Sequence, residues 1–411
     1  MAGPVRHARE PQQERVVWTL ITAFIGLCLF ALVGPLLAGG DDSQEQADGD
    51  SADSAADDPG TTTEVAAEVT APSTFTISAS GDILIHERVG DAATTADGWD
   101  FRPLFANVKP LIESADFAIC HLEVPISSSN TDLAFGGANF GGVFRAPTQL
   151  ADAIADAGFD SCSVASNHAW DSGEPSVTST VAQLNRVQVP HVGIATNAEE
   201  ADRLWIFDVL DTRVGHLSYT YGLNGRADGE VSQDRVAQID EAVILADAAR
   251  HRAAGVDFVV VSMHWGQEFQ TDLDALQQDL GPRLLASPDI DLIIGHHAHV
   301  PQQIVEIDGE YIAYGLGNLL SNQSSSAPEC PTACPLESQD GALVDFTIGR
   351  RDDGSLGVLR VDAHPTWVDV GSTWQIIDTG ATPVTGATVD PGLMAASADR
   401  TLATLGVSAA Q

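Results

Sequence analysis

Five apolar, strand-like runs recur along the chain and limit its fold more than any other feature of the sequence. In chain order they read FTISASGDILI, ADFAIC, FDSCSVAS, VDFVVVSMHW and IDLIIGHH. Helix-like segments lie between several of them. One begins at Pro147 and stops at Gly158, and a longer one ends at Gly255. Strands that alternate with helices in this way are typical of a layered α/β fold.

Other stretches predict β-hairpins, which would add antiparallel pairs to the parallel strands. Their turns fall at Asp211-Thr212, Asp308-Gly309 and Asp353-Gly354. Asp-Gly between two apolar runs is a strong hairpin signal, so we expect mixed sheets. The folded domain is predicted at residues 74–370. The pattern weakens beyond it, so residues 371–411 are predicted to form a C-terminal extension.

One stretch near the start is long and apolar enough for a membrane. Val16–Ala38 has no charged residue, and a helix needs about 20 apolar residues to cross a bilayer core. Arginines precede it and an acidic segment follows, which predicts a cytoplasmic N-terminus at residues 1–15 and an outward-facing remainder. The alternative is a cleaved signal peptide. The long run without a clear cleavage site favours a retained anchor, so the expected location is the cell membrane, crossed once.

The segment that follows the membrane stretch, residues 39–73, is rich in acidic residues, Ala, Ser and Thr and is predicted to be a disordered linker. The whole chain is also strongly acidic: 58 acidic residues face 19 basic ones, for a formal net charge of -39. Such a surface repels nucleic acid, so a phosphate-backbone partner is excluded.

The five cysteines fit an exported protein. Cys330 and Cys334, in the loop CPTAC, are predicted to form a local disulfide, because a metal would need more ligands than these two. Cys120 and Cys162 lie on apolar runs and are predicted to be small core residues rather than reactive thiols.

Most of the apolar runs end in a residue that can bind a metal. In chain order these residues are Asp82 with His86, Glu123 with His121, Asn167 with His168, then His264, and finally His297 and His299. The carboxyl ends of strands in an α/β sheet line one edge where ligands bind. Each residue alone has an ordinary explanation in a turn or a core, but their repeated position predicts one shared metal site.

The ligand types limit the metal. Imidazole, carboxylate and amide oxygen without thiolate suit Mn, Fe or Zn. The ligands are too many for one ion, so we predict two divalent ions with Glu123 between them. Asn167, His264 and His297 are assigned to one ion, and Asp82 and His299 to the other. His86 is a further candidate ligand if the strand continues past Asp82, and otherwise a loop residue.

A pair of such ions can clamp the oxygens of an in-line phosphoryl transfer and supply hydroxide at neutral pH. His168, next to Asn167, is the predicted proton donor to the leaving oxygen. Asp171 is predicted either to orient His168 or to cap the following helix.

Six sequence blocks, GDILIH, HLEVPIS, SNHAWDSG, HWGQEF, GHHAHVPQ and YGLGNLL, occur in this order. They resemble the signature blocks of the CapA family, the poly-γ-glutamate capsule synthesis proteins, which is similar to calcineurin-like dinuclear metallophosphoesterases. The resemblance covers about residues 75–369. It implies a four-layer α/β/β/α sandwich of two mixed sheets, with metals at the strand ends.

The chain departs from these relatives at several site positions. The wider superfamily opens with Asp-x-His, whereas Asp82 here is followed by Ile83 and Leu84. Glu123 stands where the superfamily usually has Asp, and His121 where CapA-like proteins usually have Asn. Whether His86, His121 or His296 binds a metal is left open by the sequence.

Two functions follow from the resemblance. One is a metal-dependent hydrolase of the phosphoesterase type that acts in synthesis of poly-γ-glutamate or a related surface polymer. The other is a non-catalytic subunit that binds polymer or acts as a scaffold. Both imply the same partners: the membrane, capsule synthase or export proteins in it, and an anionic polymer.

Overall fold

The computed structural model describes residues 74–137, 141–226, 234–325, 334–383, 385 and 389–410. Within these ranges, no helix combines the length and the apolar character needed to cross a bilayer. The predicted membrane helix at 16–38 and the predicted linker at 39–73 lie outside the described residues, so both stay predictions.

Eighteen strands are present in the described residues. They are β1 (Phe75–Ile83), β2 (Thr94–Thr95), β3 (Gly98–Trp99), β4 (Phe117–Leu122), β5 (Ala134–Phe135), β6 (Phe144–Arg145), β7 (Ser161–Ser163), β8 (His191–Val192), β9 (Ile206–Val209), β10 (Thr212–Thr220), β11 (Phe258–His264), β12 (Leu292–His296), β13 (Pro301–Ile307), β14 (Glu310–Leu316), β15 (Asn318–Leu320), β16 (Asp340–Arg350), β17 (Leu356–Val368) and β18 (Ile376–Asp378).

Nine α-helices accompany these strands in the same part of the chain. They are α1 (Glu87–Ala92), α2 (Arg102–Phe105), α3 (Lys109–Ser114), α4 (Gln149–Ala157), α5 (Glu174–Arg186), α6 (Ala198–Ala201), α7 (Glu241–Ala253), α8 (Ala275–Leu285) and α9 (Pro391–Leu405), with one 3₁₀ helix at Leu336–Gln339. The two helices predicted before Gly158 and Gly255 are α4 and α7.

The strands form two large mixed sheets. The first has the order β18-β17-β16-β1-β4-β7-β8, with β15 also paired to β1. The second has the order β13-β14-β12-β11-β10-β9. In the first sheet β1, β4, β7 and β8 are parallel and β16 is antiparallel to β1. In the second, β10, β11, β12 and β14 are parallel, with antiparallel strands at both edges. The prediction of a mixed α/β fold is therefore confirmed.

Three apolar cores pack around these sheets. One lies between the sheets and contains Ile77 and Ile119 from the first sheet and Val260 and Ile294 from the second. The other two join the outer face of each sheet to helices. Parallel strands with both faces covered are apolar along their whole length, which is why β11 reads FVVVSMH without polar alternation.

The predicted hairpin between β13 and β14 has positive φ at both turn residues, 53° at Asp308 and 94° at Gly309. Two left-handed residues match the twist of the flanking strands. The two other predicted hairpins are also present, as β9 with β10 and β16 with β17.

Cys120 and Cys162 are buried, as predicted, but the prediction missed the covalent bond between them. The two residues are joined by a disulfide with a Cα–Cα distance of 4.5 Å. They are direct partners in the β4–β7 pairing, which brings together residues 42 apart in sequence. Cys334 is also disulfide-bonded, and its predicted partner Cys330 lies outside the described residues.

The predicted C-terminal extension packs onto the domain. β18 pairs with β17, and α9 contacts β13, β16 and β17. Asp340, which is 1% exposed, accepts hydrogen bonds from Arg400 and Ser397, each Arg400 bond being 2.9 Å long. Burial raises the pKa of Asp340 to about 6 even with these partners.

Replacing Arg400 with alanine is expected to lower the free energy of unfolding by about 2 to 3 kcal/mol, because a buried carboxylate loses its cation. Urea unfolding of the purified chain measures this loss. The control is Arg360→Ala, since Arg360 is 69% exposed in its pair with Asp362. That change is expected to cost less than about 0.5 kcal/mol. Equal losses in the two variants would contradict the role given to Arg400.

Candidate metal centre

The carboxyl ends of four strands meet between the two sheets. Asp82, the last residue but one of β1, lies beside His121 of β4, and these two residues are direct partners across the first sheet. His264 of β11 and His296 of β12 are direct partners across the second sheet. Glu123 follows β4, and all five side chains are buried. The strand registers, rather than a single loop, therefore build the site.

Ligand atoms in this region fall into three overlapping groups whose members lie within 4.8 Å of one another. The groups are Asp82–His121–His296, His121–Glu123–His264 and Glu123–His297–His299. Each consists of buried residues and could hold a divalent ion. Glu123 and His121 each belong to two groups, and Glu123 has two carboxylate oxygens to share.

A continuous hydrogen-bond chain fixes the proton positions on one side of the site. Ser163 Oγ donates to Cys120 O (3.3 Å), so it accepts from His121 Nδ1 at 2.7 Å. The other nitrogen of His121, Nε2, then accepts from His264 Nδ1 at 2.9 Å. In this assignment the neutral His264 ring has a bare lone pair on Nε2.

That lone pair faces another acceptor. Nε2 of His264 lies 3.0 Å from Asn167 Oδ1, and the amide of Asn167 is oriented by its own bond from Nδ2 to Asn224 Oδ1 (3.3 Å). Glu123 Oε1 lies 3.9 Å from the same nitrogen. In the assigned tautomer three acceptors converge here, and a bound cation relieves their mutual repulsion. This arrangement fits a metal ion.

The opposite side of the site is organised around Asp82. Oδ2 of Asp82 lies 3.0 Å from His299 Nδ1 and accepts from the backbone N–H of His297 at 3.1 Å. Oδ1 of Asp82 lies 3.2 Å from His296 Nδ1. His299 Nε2 in turn lies 3.6 Å from Glu123 Oε1. His299 therefore stands between the two carboxylates.

The loop that carries His297 and His299 has a strained backbone. Both residues have positive φ, 90° and 57°, which non-glycine residues rarely adopt and which costs about 1 to 3 kcal/mol each. Phe269 N donates to Ala298 O between them, and Asn318 Nδ2 donates to His299 O. Strain held by such contacts is typical of a functional site.

Burial and mutual charge shift the pKa values of these groups. Burial raises the pKa of Glu123 well above its usual range. Burial and the neighbouring histidines lower the pKa values of His121 and His264 far below normal, and that of His297 to about 3. Burial opposes protonation of His299 as well, but Glu123 and Asp82 raise its pKa to about 9. Three of the imidazoles are thus neutral, the form that binds metals.

Several buried ligand atoms have no hydrogen-bond partner among the described residues. They are Asp82 Oδ1, both carboxylate oxygens of Glu123, both ring nitrogens of His296, and His297 Nδ1. Buried polar atoms are nearly always paired, and each orphan costs about 1 to 3 kcal/mol. Orphans also occur elsewhere in the described residues, but these six atoms lie together in one carboxylate–imidazole cluster, which fits divalent metal ions as their common partner.

His86 is placed differently from the other predicted ligands. It lies just before α1, where its ring packs edge-on against Phe144 at 5.2 Å. It belongs to none of the three ligand groups. The strand does not continue past Ile83, so the alternation that would have brought His86 onto the face of Asp82 stops too early.

His168 and Asp171 lie together at the edge of the site. Asp171 Oδ2 is 2.9 Å from His168 Nδ1 and also accepts from the backbone N–H of Phe144 (2.7 Å). The following helix, α5, has Gly173 at its N-cap and no side-chain cap. Of the two roles left open for Asp171, the structure supports the orientation of His168.

An exposed aromatic side chain covers the site. Tyr221 is 43% exposed, and its ring lies 4.6 Å from that of His297 and 6.1 Å, nearly parallel, from that of His264. Its backbone N–H donates to His264 O. Nothing in the sequence marks Tyr221, because its place depends on the pairing of β10 with β11.

Comparison with known proteins identifies the family of this chain. The sequence matches the family of bacterial capsule synthesis proteins called PGA_cap over residues 76–323. The chain belongs to this family. The matched span contains every residue of the three ligand groups. The resemblance to CapA proteins predicted from the six sequence blocks is confirmed.

Two relatives in the capsule synthesis family are similar over most of their length. The capsule biosynthesis protein CapA of Bacillus anthracis is 24% identical over 301 residues, which cover 72% of this chain and 68% of that protein. The PGA biosynthesis protein CapA of Bacillus subtilis (strain 168) is 24% identical over 288 residues, 69% of this chain and 70% of that protein.

Among solved structures, the calcineurin-like phosphoesterase YfkN of Bacillus subtilis is similar to this chain. The TM-score is 0.44 and the identity 15%, and the match covers 80% of this chain and 97% of that chain.

His121 and His296, which the sequence left open, both point between the sheets. Each lies two residues after an isoleucine of the core between the sheets: His121 follows Ile119, and His296 follows Ile294. Successive side chains on a strand alternate between its two faces. The alternation in the sequence therefore already indicated that both histidines lie on the inner face.

Proposed function

We propose that this chain is a metal-dependent hydrolase of the phosphoesterase type that acts in the synthesis of poly-γ-glutamate or a related surface polymer. The observation that supports it best is the convergence of Asn167 Oδ1, His264 Nε2 and Glu123 Oε1 in a buried cluster, where neither oxygen of Glu123 has a hydrogen-bond partner among the described residues.

The proposal includes a location. Residues 16–38 would anchor the chain in the cell membrane with the folded domain outside, where a surface polymer is made. The partners would be capsule synthase or export proteins in the membrane and an anionic polymer. Because the net charge is -39, the protein surface repels a polyanion. The metal centre is therefore the place where the polymer's negative charge would be attracted.

The proposed ligands for two divalent ions, Mn, Fe or Zn, are those assigned from the sequence. Asn167, His264 and His297 would hold one ion, and Asp82 and His299 the other, with Glu123 between the two. When bound, such ions polarise a phosphoryl oxygen and supply hydroxide near neutral pH. Tyr221, above His297 and His264, would confine the substrate over the ions.

His168 would transfer the proton to the leaving group. Asp171 accepts its Nδ1–H at 2.9 Å, which fixes the ring and leaves Nε2 to exchange the proton. The side chain is 13% exposed, so a substrate can reach it. Asp171 cannot move with the ring, because it is also bound to the backbone of Phe144 and lies 3.5 Å from Arg226.

The test measures metal content and hydrolysis together on the purified chain. The wild type is expected to hold about two divalent ions, as two-metal sites do, and to hydrolyse bis(p-nitrophenyl) phosphate, p-nitrophenyl phosphate or poly-γ-glutamate. His168→Ala is expected to keep the metal but to lose about 100-fold or more in kcat, the usual worth of a general acid.

Three results would count against the proposal: a metal-free chain that is equally active, an unchanged kcat in His168→Ala, or full metal content with no hydrolysis of any of the three substrates. The last result would favour the polymer-binding subunit instead.

A further inference from the structure

We propose that His296 is a metal ligand, and that it, rather than His86, completes the coordination of the ion at Asp82. This inference rests on the proposed metal centre and names a residue that the sequence motifs did not assign. The ion would then be bound by Asp82, His296 and His299, with Glu123 between it and the second ion.

Besides His299, three histidines are candidates for the ion at Asp82: the predicted ligand His86, and His121 and His296, which the sequence left open. His86 has a buried Nδ1 without a hydrogen-bond partner among the described residues, but it lies before α1, packs against Phe144 and belongs to none of the three ligand groups. His121 belongs to the same ligand group as Asp82 and His296, but both of its ring nitrogens already have partners, Ser163 on Nδ1 and His264 on Nε2. Elimination leaves His296.

His296 lies in the ligand group of Asp82 and, unlike His121, has both ring nitrogens available. Its side chain is only 1% exposed, and neither ring nitrogen has a hydrogen-bond partner among the described residues. Its Nδ1 lies 3.2 Å from Asp82 Oδ1, yet both atoms remain unpaired because the geometry is not that of a hydrogen bond. A ring nitrogen and a carboxylate oxygen that are both unpaired at this separation are better explained as ligands of one metal ion than as hydrogen-bond partners.

The ring of His296 is held in this position by packing. It stacks on His121 at a centroid distance of 4.0 Å and an interplanar angle of 10°. The backbone is fixed by the pairing of His296 with His264 in neighbouring strands, and Trp265 N donates to His296 O. His121 itself is held by Ser163 beside the Cys120–Cys162 disulfide. A ligand fixed by its neighbours in this way binds its metal more tightly.

The chemical consequence is a preference among metals. With His296, the ion at Asp82 gains a second imidazole in addition to His299. Sites rich in imidazole favour Zn²⁺ and Fe²⁺ over Mg²⁺ and Ca²⁺, which prefer oxygen. We expect the Asp82 position to bind Zn²⁺ or Co²⁺ and to reject Mg²⁺.

Equilibrium dialysis of the purified chain against Zn²⁺ and Co²⁺, followed by elemental analysis, tests the assignment. His296→Ala is expected to bind one ion fewer per chain than the wild type, or to bind it with an affinity more than about 100-fold lower, which exceeds the effect of losing an outer contact. His86→Ala, the matched histidine, is expected to keep the wild-type number. The visible spectrum of the Co²⁺ protein provides a second readout, because it changes when an imidazole ligand is lost.

The possible results distinguish an error in the assignment of His296 from an error in the proposed function. An unchanged ion count and affinity in His296→Ala, or the loss of one ion in His86→Ala, would overturn the assignment. His296→Gln, which keeps the polar character of the site, decides the question if His296→Ala does not fold. A wild type that binds two ions but has no hydrolytic activity would refute the proposed function and leave the assignment of His296 standing. A wild type that binds no ion would refute both.

Discussion

Replacing Glu123 with glutamine is expected to make the metal-free protein more stable and to abolish its stabilisation by divalent cations. Glu123 is buried, and neither carboxylate oxygen has a hydrogen-bond partner among the described residues. Burial raises its pKa well above the usual range, which means that the ionised form is disfavoured in the folded state. A neutral amide removes most of that cost.

The expected sizes are large enough to measure. Replacing a buried carboxyl group that has no hydrogen-bond partner should raise the free energy of unfolding of the metal-free chain by about 1 to 3 kcal/mol. The wild type should gain about 4 kcal/mol from an ion present at about 1,000 times its dissociation constant, and the variant should gain almost nothing. A residue that serves function at the expense of stability is expected to show both effects: its replacement stabilises the metal-free protein and removes the stabilisation by metal.

Urea unfolding with and without a chelator measures both effects. Asp340→Asn provides the control, because Asp340 is also a buried carboxylate whose pKa is raised, to about 6, but it has Arg400 and Ser397 as partners. That change is expected to destabilise the chain in the same assay. A metal-free Glu123→Gln protein that is less stable than the wild type would show that Glu123 has a structural role and that the site is wrongly assigned.

The fold could be predicted from the sequence because its strands carry a local signal. A run such as VDFVVVSMHW is apolar along its length, and a strand with both faces covered needs no partner to be recognised. The hairpins were predictable for a similar reason, since Asp308 and Gly309 encode their own turn. Predicted elements of this kind depend on neighbours in sequence.

The missed features depend on neighbours in space. The Cys120–Cys162 disulfide requires that β4 and β7 lie side by side in register, which no local pattern states. Tyr221 reaches His297 only because β10 pairs with β11. His86 was a candidate only on the assumption that β1 continued, but the strand ends at Ile83 after a register shift between Ala79 and Asp82.

The metal centre lies between these two cases. Each ligand was visible as a polar residue at the end of an apolar run, so Asp82, Glu123 and His264 could be selected one at a time. Which ligand serves which ion depends on distances across two sheets. The hydrogen-bond chain from Ser163 through His121 occupies Nδ1 of His264, which leaves Nε2 as the nitrogen that could bind a metal. No sequence motif carries that information.

Replacing His264 with alanine is expected to remove metal-dependent hydrolysis almost completely. His264 has two roles that alanine cannot fill: Nε2 faces Asn167 and Glu123, and Nδ1 donates to His121. Loss of one ion removes several kcal/mol of transition-state stabilisation, or about a 1,000-fold decrease in kcat. The KM should change much less, because Asp82 and His299 would still hold the other ion.

Steady-state kinetics with saturating metal measures the decrease, and His251→Ala is the matched control. His251 is also a buried histidine, but it lies on α7, where its Nδ1 donates to Asp247 O, and it belongs to no ligand group in the described residues. That variant is expected to lose stability and to keep its kcat. If His264→Ala and His251→Ala lost activity equally, the loss would reflect damage to the fold. If His264→Ala kept its activity, the reaction would have to occur elsewhere on the chain.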